Sequence, residues 1–304
     1  MFRLWIRSAT VILAAWVLLS VGVGLWVLPG LLLNAPVPRR SETFCARVRA
    51  DLQATGGSFT QIQIQGGEGR ALELWHLRRS SPKGAVIYLH GFGDDVWGTL
   101  NRARSLPEWD AVGFTFRGRD RNRSVPSTLG GWERKDVVAA FHYLEAAGFP
   151  SERILIVGWS MGAGVALLAM EDLEREGKNL GGALLECPFE DLKQAARNHI
   201  RGTLGDLEVV VCLAERFALG EAGRRARFDP AQVSPVRSSE RVRCRIALIT
   251  GDADLETPLE GVRRMARFHP DLTEVQGAGH CEASNQFPGG WEAWAKVRLA
   301  AWGF

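Results

Sequence analysis

The sequence predicts an α/β domain built on a mostly parallel central sheet with helices on both faces. Two observations predict it. Short continuous apolar runs, AVIYL at 85–89, AVGFTF at 111–116, ILIVG at 154–158, ALLEC at 183–187 and IALIT at 246–250, have the length and unbroken apolarity of strands buried on both sides. Stretches of helical period lie between them, so strand and helix alternate along the chain.

At the N-terminus no charged residue stands between Arg7 and Arg39, and the stretch between them is long and apolar enough to cross a bilayer as a helix. Both faces of that helix are apolar, whereas a core helix of a soluble domain usually keeps one polar face. Residues 1–40 are therefore read as an N-terminal membrane anchor and 41–304 as the globular domain. A cleaved signal peptide is the rival reading; apolar residues running on through Leu33 favour an uncleaved signal anchor. Arginine counting on the two sides of the span puts the domain inside, but a short positive N-terminus ahead of a signal anchor puts it outside. The expectation adopted is a single-pass membrane protein with an extracytoplasmic domain.

From Thr60, TQIQIQ and ALELWHL alternate polar and apolar residues on either side of GGEG, which predicts an antiparallel hairpin. Helices are predicted from Trp132 to Ala147, with Val137, Val138, Phe141 and Leu144 on one face, and from Met161 to Glu176, ended by Gly177. Residues 189–243 break the alternation, being Arg-rich and partly helical with an apolar patch LEVVVCLAERF; they predict a short cap insertion over the carboxyl edge of the sheet. A short strand LTEVQ and a terminal helix around Trp291 to Trp302 complete the order.

Composition excludes several classes. The formal charge of +3 comes from basic residues scattered along the chain, which argues against a nucleic-acid surface. The five cysteines form no C-x-x-C pair and no His cluster stands at zinc-ligand spacing, so neither a metal site nor a disulfide framework is expected, although one bridge stays open in an exported domain. Cys281, beside His280, invites a redox role, but a buried small filler is the expectation. No second long uncharged segment suggests a transporter or channel.

Gly158-Trp159-Ser160-Met161-Gly162 matches G-x-S-x-G, follows the run ILIV and opens a helix of small residues. A strand that turns abruptly into a helix needs glycines around the turn, and the serine then projects from it as a nucleophile. A serine hydroxyl needs a base, and the base an acid that fixes its tautomer. His280 ends GAGH ahead of the terminal helix and is the expected base, His76, His142, His199 and His269 being better read as structural. Asp254 in GDADLETP, after IALIT, is the expected acid, with Asp252, Glu186 and Glu190 as competitors. In His90-Gly91-Phe92-Gly93, after AVIYL, the chemistry wants a backbone amide: Phe92 and Met161 are the expected oxyanion donors, and the His90 ring is expected to brace the loop.

The segments HGFG, GWSMG, GDADLETP and GAGH, in that order, resemble the α/β-hydrolase superfamily from about residue 60 to the C-terminus. FRGRDRNRS is similar to the R-G-x-G-x-S turn of these proteins, with Asp120 in place of a glycine. An N-terminal span before a short-capped domain resembles the membrane-anchored, lysophospholipase-like and serine-aminopeptidase-like branch. The resemblance implies acyl transfer to water through Ser160, His280 and Asp254, without metal or organic cofactor. A carboxylic ester, of small-molecule or lipid-derived origin, is the expected substrate. A peptidase or thioesterase would use the same groups, and a non-catalytic binding protein on the same fold is the reading from another class.

Overall fold

The computed structural model describes residues 2–34, 40–119, 125–205 and 213–304, with 2–7 described as helical backbone alone. Helix α1 (Phe2–Gly22) passes through one wide turn (Val23–Val27) into α2 (Leu28–Leu33). Pro29 explains the break in regularity, because it has no N–H for the carbonyl of Leu25 four residues back. That carbonyl accepts from Arg225 Nη2 instead. Ser8–Leu33 is the one helix among the described residues long and apolar enough to cross a membrane.

Helix α3 (Glu42–Ala54), capped by Ser41 accepting from the Phe44 amide, was not expected from the sequence, because it buries little beyond Val48 and Leu52 and shows a weak apolar stripe. The hairpin β1 (Ser58–Gln65) and β2 (Ala71–Arg78) forms as expected, with Ile64 opposite Leu72 and Ile62 opposite Leu74. Then come β3 (Ala85–Leu89), a short α4 (Val96–Leu100), β4 (Asp110–Phe114), α5 (Glu133–Ala146), β5 (Ile154–Trp159), α6 (Met161–Arg175) and β6 (Gly182–Glu186). The cap contributes α7 (Leu192–Leu204), α8 (Glu215–Ala226) and α9 (Pro235–Ser239). The chain closes with β7 (Ile246–Gly251), α10 (Leu259–Ala266), β8 (Asp271–Val275), α11 (Ala283–Gln286) and α12 (Gly290–Ala301). Most of the apolar patch in LEVVVCLAERF, and Asp120 of the arginine-rich turn, lie outside the described residues.

The sheet has eight strands in the order β1-β2-β4-β3-β5-β6-β7-β8, parallel from β4 to β8, with β2 antiparallel to both its neighbours. Every residue of β3 to β7 is buried, which is why their sequences are unbroken apolar runs. Alternate residues face two separate cores: Ala85, Ile87 and Leu89 pack with α5, α6 and α10, while Val86 and Tyr88 pack with α3, α4 and α12. Burying each such aliphatic side chain contributes about 1.5–3 kcal/mol. The run expected to continue to Phe116 stops at Phe114, because the Phe116 amide donates to His90 Nε2, 2.9 Å away, rather than to a strand.

Two features bind the N-terminal helix to the domain. Gly24 lies so close to the cap that a Cβ there would stand 2.5 Å from the Ala214 carbonyl oxygen. Leu28, Pro29, Leu32 and Leu33 are buried, and the Leu33 carbonyl accepts from the Ser127 amide. Val11, Ile12, Leu18 and Trp26, by contrast, are largely exposed.

The loop ahead of α5 is organised by one buried carboxylate. Glu133, with no exposed surface, accepts from the Ser127 hydroxyl, the Thr128 amide and hydroxyl, and the Gly130 amide. Glu133→Gln turns an amide NH2 toward these donors and is expected to cost about 1–3 kcal/mol of stability. Denaturant unfolding of the detergent-solubilised chain checks it; an unchanged midpoint would show that the loop does not depend on this carboxylate.

Candidate active site

Loops after β3, β5, β7 and β8 bring the sequence-predicted residues together at the carboxyl edge of the sheet, beside the point where strand order reverses. Ser160 sits between β5 and α6 with φ 50° and ψ −115°. The turn demands its glycines. A Cβ at Gly158 would stand 2.7 Å from the Gly162 carbonyl, and one at Gly162 would stand 2.4 Å from the Leu89 carbonyl oxygen. The serine is locked from both sides, its amide donating to the Glu186 carbonyl and its carbonyl accepting from the Gly164 amide as α6 begins.

Ser160 Oγ lies 2.8 Å from His280 Nε2, and His280 Nδ1 lies 2.8 Å from Asp254 Oδ2. With Nδ1–H donating to the carboxylate, Nε2 is left as acceptor for the serine hydroxyl. The Asp254 side chain has no exposed surface, while that of His280 keeps 22%. Asp254 also accepts from the amides of Glu256 and Thr257 and from the Thr257 hydroxyl. Burial by itself would raise the Asp254 pKa, but the hydrogen bonds from His280 and Thr257 outweigh it and hold the carboxyl below its ordinary range. Burial likewise would lower the His280 pKa; its hydrogen bonds to Asp254 and Cys187 prevail and raise it above 6.5.

The competing acids are engaged elsewhere. Asp252 accepts from the Gly277 amide, Glu186 Oε1 from the Ser284 amide, and Glu190 pairs with Arg264. His90 braces its loop as expected, Nδ1 donating to the Gly91 carbonyl and Nε2 accepting from Phe116, and burial pushes its pKa down to about 4. His76 is buried between Asp110 and Tyr143, and His269 bonds the Ser239 carbonyl. His142, between Glu145 and Glu176, is surface chemistry.

Phe92 and Met161, the expected oxyanion donors, both flank Ser160 in one apolar hollow of about 70 Å³. Met161 is the first residue of α6, where amide N–H groups have no acceptor within the helix. Gly91 runs beside the serine, a Cβ there lying 3.5 Å from Ser160 Cβ.

Several residues at the site escaped the sequence reading. Thr257, three residues after Asp254, fixes the carboxylate; its spacing matches an Asx-type turn and was open to detection. Arg119 is buried, its guanidinium lying over the Phe92 ring at 4.1 Å and donating to the Phe92 carbonyl. His199, expected to be structural, faces the hollow from α7, its ring 5.0 Å from that of Phe92. Leu32, from the N-terminal helix, forms part of the wall. Cys281, expected to be buried, is partly exposed while packing against the core that holds Val86 and Tyr88. A larger hollow of about 240 Å³ adjoins, sharing Phe189, Ala195, Glu256 and Thr257 with the first.

Residues 86–290 match the model of the alpha/beta hydrolase family, and the chain belongs to that family. Among curated relatives, an acetyl-hydrolase of Streptomyces hygroscopicus is 30% identical over 48% of this chain and 50% of its own length. The lysophosphatidylserine lipase ABHD12 of Xenopus tropicalis is 26% identical over 43% of this chain and 34% of its own. A multifunctional-autoprocessing repeats-in-toxin protein of Vibrio cholerae is 27% identical over 47% of this chain, which spans only 3% of that relative. The fold is similar to that of an esterase of Pyrococcus furiosus (TM-score 0.66, 20% identity, 89% of this chain and 99% of that one). It is also similar to a membrane phospholipase A (TM-score 0.58, 18% identity, 99% of both chains). The chain thus spans half or less of the length of these curated relatives.

The electrostatics yield a pH prediction. With His280 as general base, the base would have to be neutral, and activity would fall as pH falls through the His280 pKa. With that pKa held above 6.5, the acid limb of kcat/KM is expected to have its midpoint above 6.5. Asp254→Asn removes one of the two raising partners, and the residual activity should show a lower midpoint. A midpoint that stays where it was in Asp254→Asn would sever the carboxylate from the base.

Proposed function

We propose that this protein is a membrane-anchored serine esterase that hydrolyses lipid-derived carboxylic esters. The observation that carries the reading is the hydrogen-bonded chain from Ser160 through His280 to Asp254, ending in an apolar hollow of which Leu32 forms one wall. His280 takes the proton of Ser160 as its oxygen attacks the ester carbonyl; the amides of Phe92 and Met161 stabilise the oxyanion; Asp254 holds the imidazolium. His280 then returns the proton to the leaving alcohol. Water, activated by the same imidazole, releases the acyl group from Ser160.

The substrate class is argued from the lining. Leu32, Phe92, Leu129, Met161, Phe189 and Leu192 present hydrocarbon to whatever is bound at the serine, and hydrocarbon recognises an acyl chain. Because the helix carrying Leu32 is apolar over Ser8–Leu33, the same helix that anchors the protein places this hollow beside the bilayer.

Two measurements on the full chain in detergent micelles test the proposal. Ser160→Ala is expected to lose labelling by a fluorophosphonate and on the order of 10³-fold or more in ester hydrolysis. Wild-type chain that is folded but neither labels nor hydrolyses would sink the esterase reading in favour of a binding role. Leu32→Trp narrows the hollow, and kcat/KM for a p-nitrophenyl dodecanoate should fall by about tenfold more than for the butyrate. Equal losses on both would detach Leu32 from acyl-chain selection.

A further inference from the structure

Three non-glycine residues with left-handed backbone meet at this centre: Ser160 at φ 50°, Cys187 at 44° and Cys281 at 58°. The turn from β5 to α6 accounts for the serine. At the two cysteines a side chain costs on the order of 1–3 kcal/mol, a cost glycine would avoid. Cys187 leaves the end of β6, its amide donating to the Ile249 carbonyl, and Cys281 follows His280. Although 94 residues apart in sequence, their Sγ atoms are 3.1 Å apart. Both sulfurs and a ring nitrogen of His280 lie within 4.8 Å of one another. Cys45 and Cys244, the other described cysteines, are free and in other elements, α3 and the approach to β7.

We propose that Cys187 and Cys281 are an oxidisable pair whose disulfide moves His280 off Ser160 and lowers hydrolysis. The inference rests on Ser160, His280 and Asp254 being the catalytic groups. The two sulfurs are not equivalent. Cys187 is fully buried, and burial, followed by its contact with Cys281, holds its thiol well above the ordinary range, so it is the poorer nucleophile. Cys281 is partly exposed and meets an oxidant first. With a peroxide the sequence balances: the Cys281 sulfur attacks one peroxide oxygen and becomes a sulfenic acid as water leaves; the Cys187 sulfur then attacks the sulfenic sulfur, and a second water leaves. Two electrons pass from the sulfurs to the peroxide and the two thiol protons end in water.

A sulfur–sulfur bond is about 2.05 Å long, so the pair must close by about 1 Å. Cys187 is held by the strand ladder, and the movement therefore falls on Cys281 and its neighbour His280. Displacing a reacting group by about 1 Å costs on the order of 10²-fold in rate.

The experiment treats the full chain in detergent with hydrogen peroxide and follows intact mass, peptide maps and ester hydrolysis together. Expected are a loss of about 2 Da, a linked Cys187–Cys281 peptide, and a tenfold to hundredfold fall in kcat that dithiothreitol reverses. C281S, checked for folding by thermal melting, should keep the activity of the reduced enzyme and resist the oxidant. C187S supplies a second variant that cannot form the bond, should C281S melt early. The proposal is overturned if no linked peptide forms, if the linked enzyme is fully active, or if C281S is inactivated as fast as wild type. A reduced wild type that is itself inactive overturns the catalytic reading and the control of hydrolysis with it, whereas the peptide map still reports on the pair separately.

Discussion

The close approach of α6 to the ends of β3 and β5 is the constraint on which the rest of the structure depends. Backbone packs on backbone there: Gly162 meets the Leu89 and His90 carbonyls, and Gly158 meets Gly162 itself. Because no side chain intervenes, the first amide of α6, the glycine turn after β3 and the serine between them are drawn into a few ångströms of one another. The left-handed backbone of Ser160 is tolerated because the Glu186 carbonyl and the Gly164 amide hold it from either side. Had either glycine carried a Cβ, the helix would stand off the sheet and the Met161 amide with it.

Around that fixed point the charged groups are wired so that each has a single role. Asp254 receives four donors and stays ionised, and its remaining influence goes through His280 Nδ1. His90, so close to the serine in the fold, is kept out of proton transfer by burial and by having both ring nitrogens occupied. Arg119 restrains Phe92 through its carbonyl and its ring, which directs a positive charge toward the loop where an oxyanion would form. Glu133 does the same service for the loop that presents Leu129 to the hollow.

The N-terminal helix changes how the chain is divided. Its sequence reads as an anchor separate from the domain, yet its last turns supply Leu28, Leu32 and Leu33 to the core and Leu32 to the site. Beyond the helix, Arg40 pairs with Asp94 and Asp95 just after the glycine turn, and Asp95 in turn caps α4. The segment after the N-terminal helix and the glycine turn after β3 are thereby fastened to one another, and detaching the first 40 residues would take Leu32 out of the wall of the hollow.

From sequence alone the strand order of events was legible: five apolar runs, the hairpin, the two long helices, and a serine, an acid and a base each following a strand. These signals are local, since burial on both faces writes itself as unbroken apolarity and a tight turn writes itself as glycine. Asp254 and Asp252 both follow the run IALIT and compete for the acid in the sequence, and the structure separates them by what each carboxylate accepts. What only the tertiary structure decided are contacts between segments with no shared local pattern: Leu32 and His199 lining the hollow beside the serine from the N-terminal helix and the cap, Arg119 holding Phe92 from the turn after β4, and Cys187 touching Cys281 across 94 residues. Such pairs leave no periodicity in the chain, because each partner satisfies its own strand, helix or turn and meets the other only when the sheet is assembled.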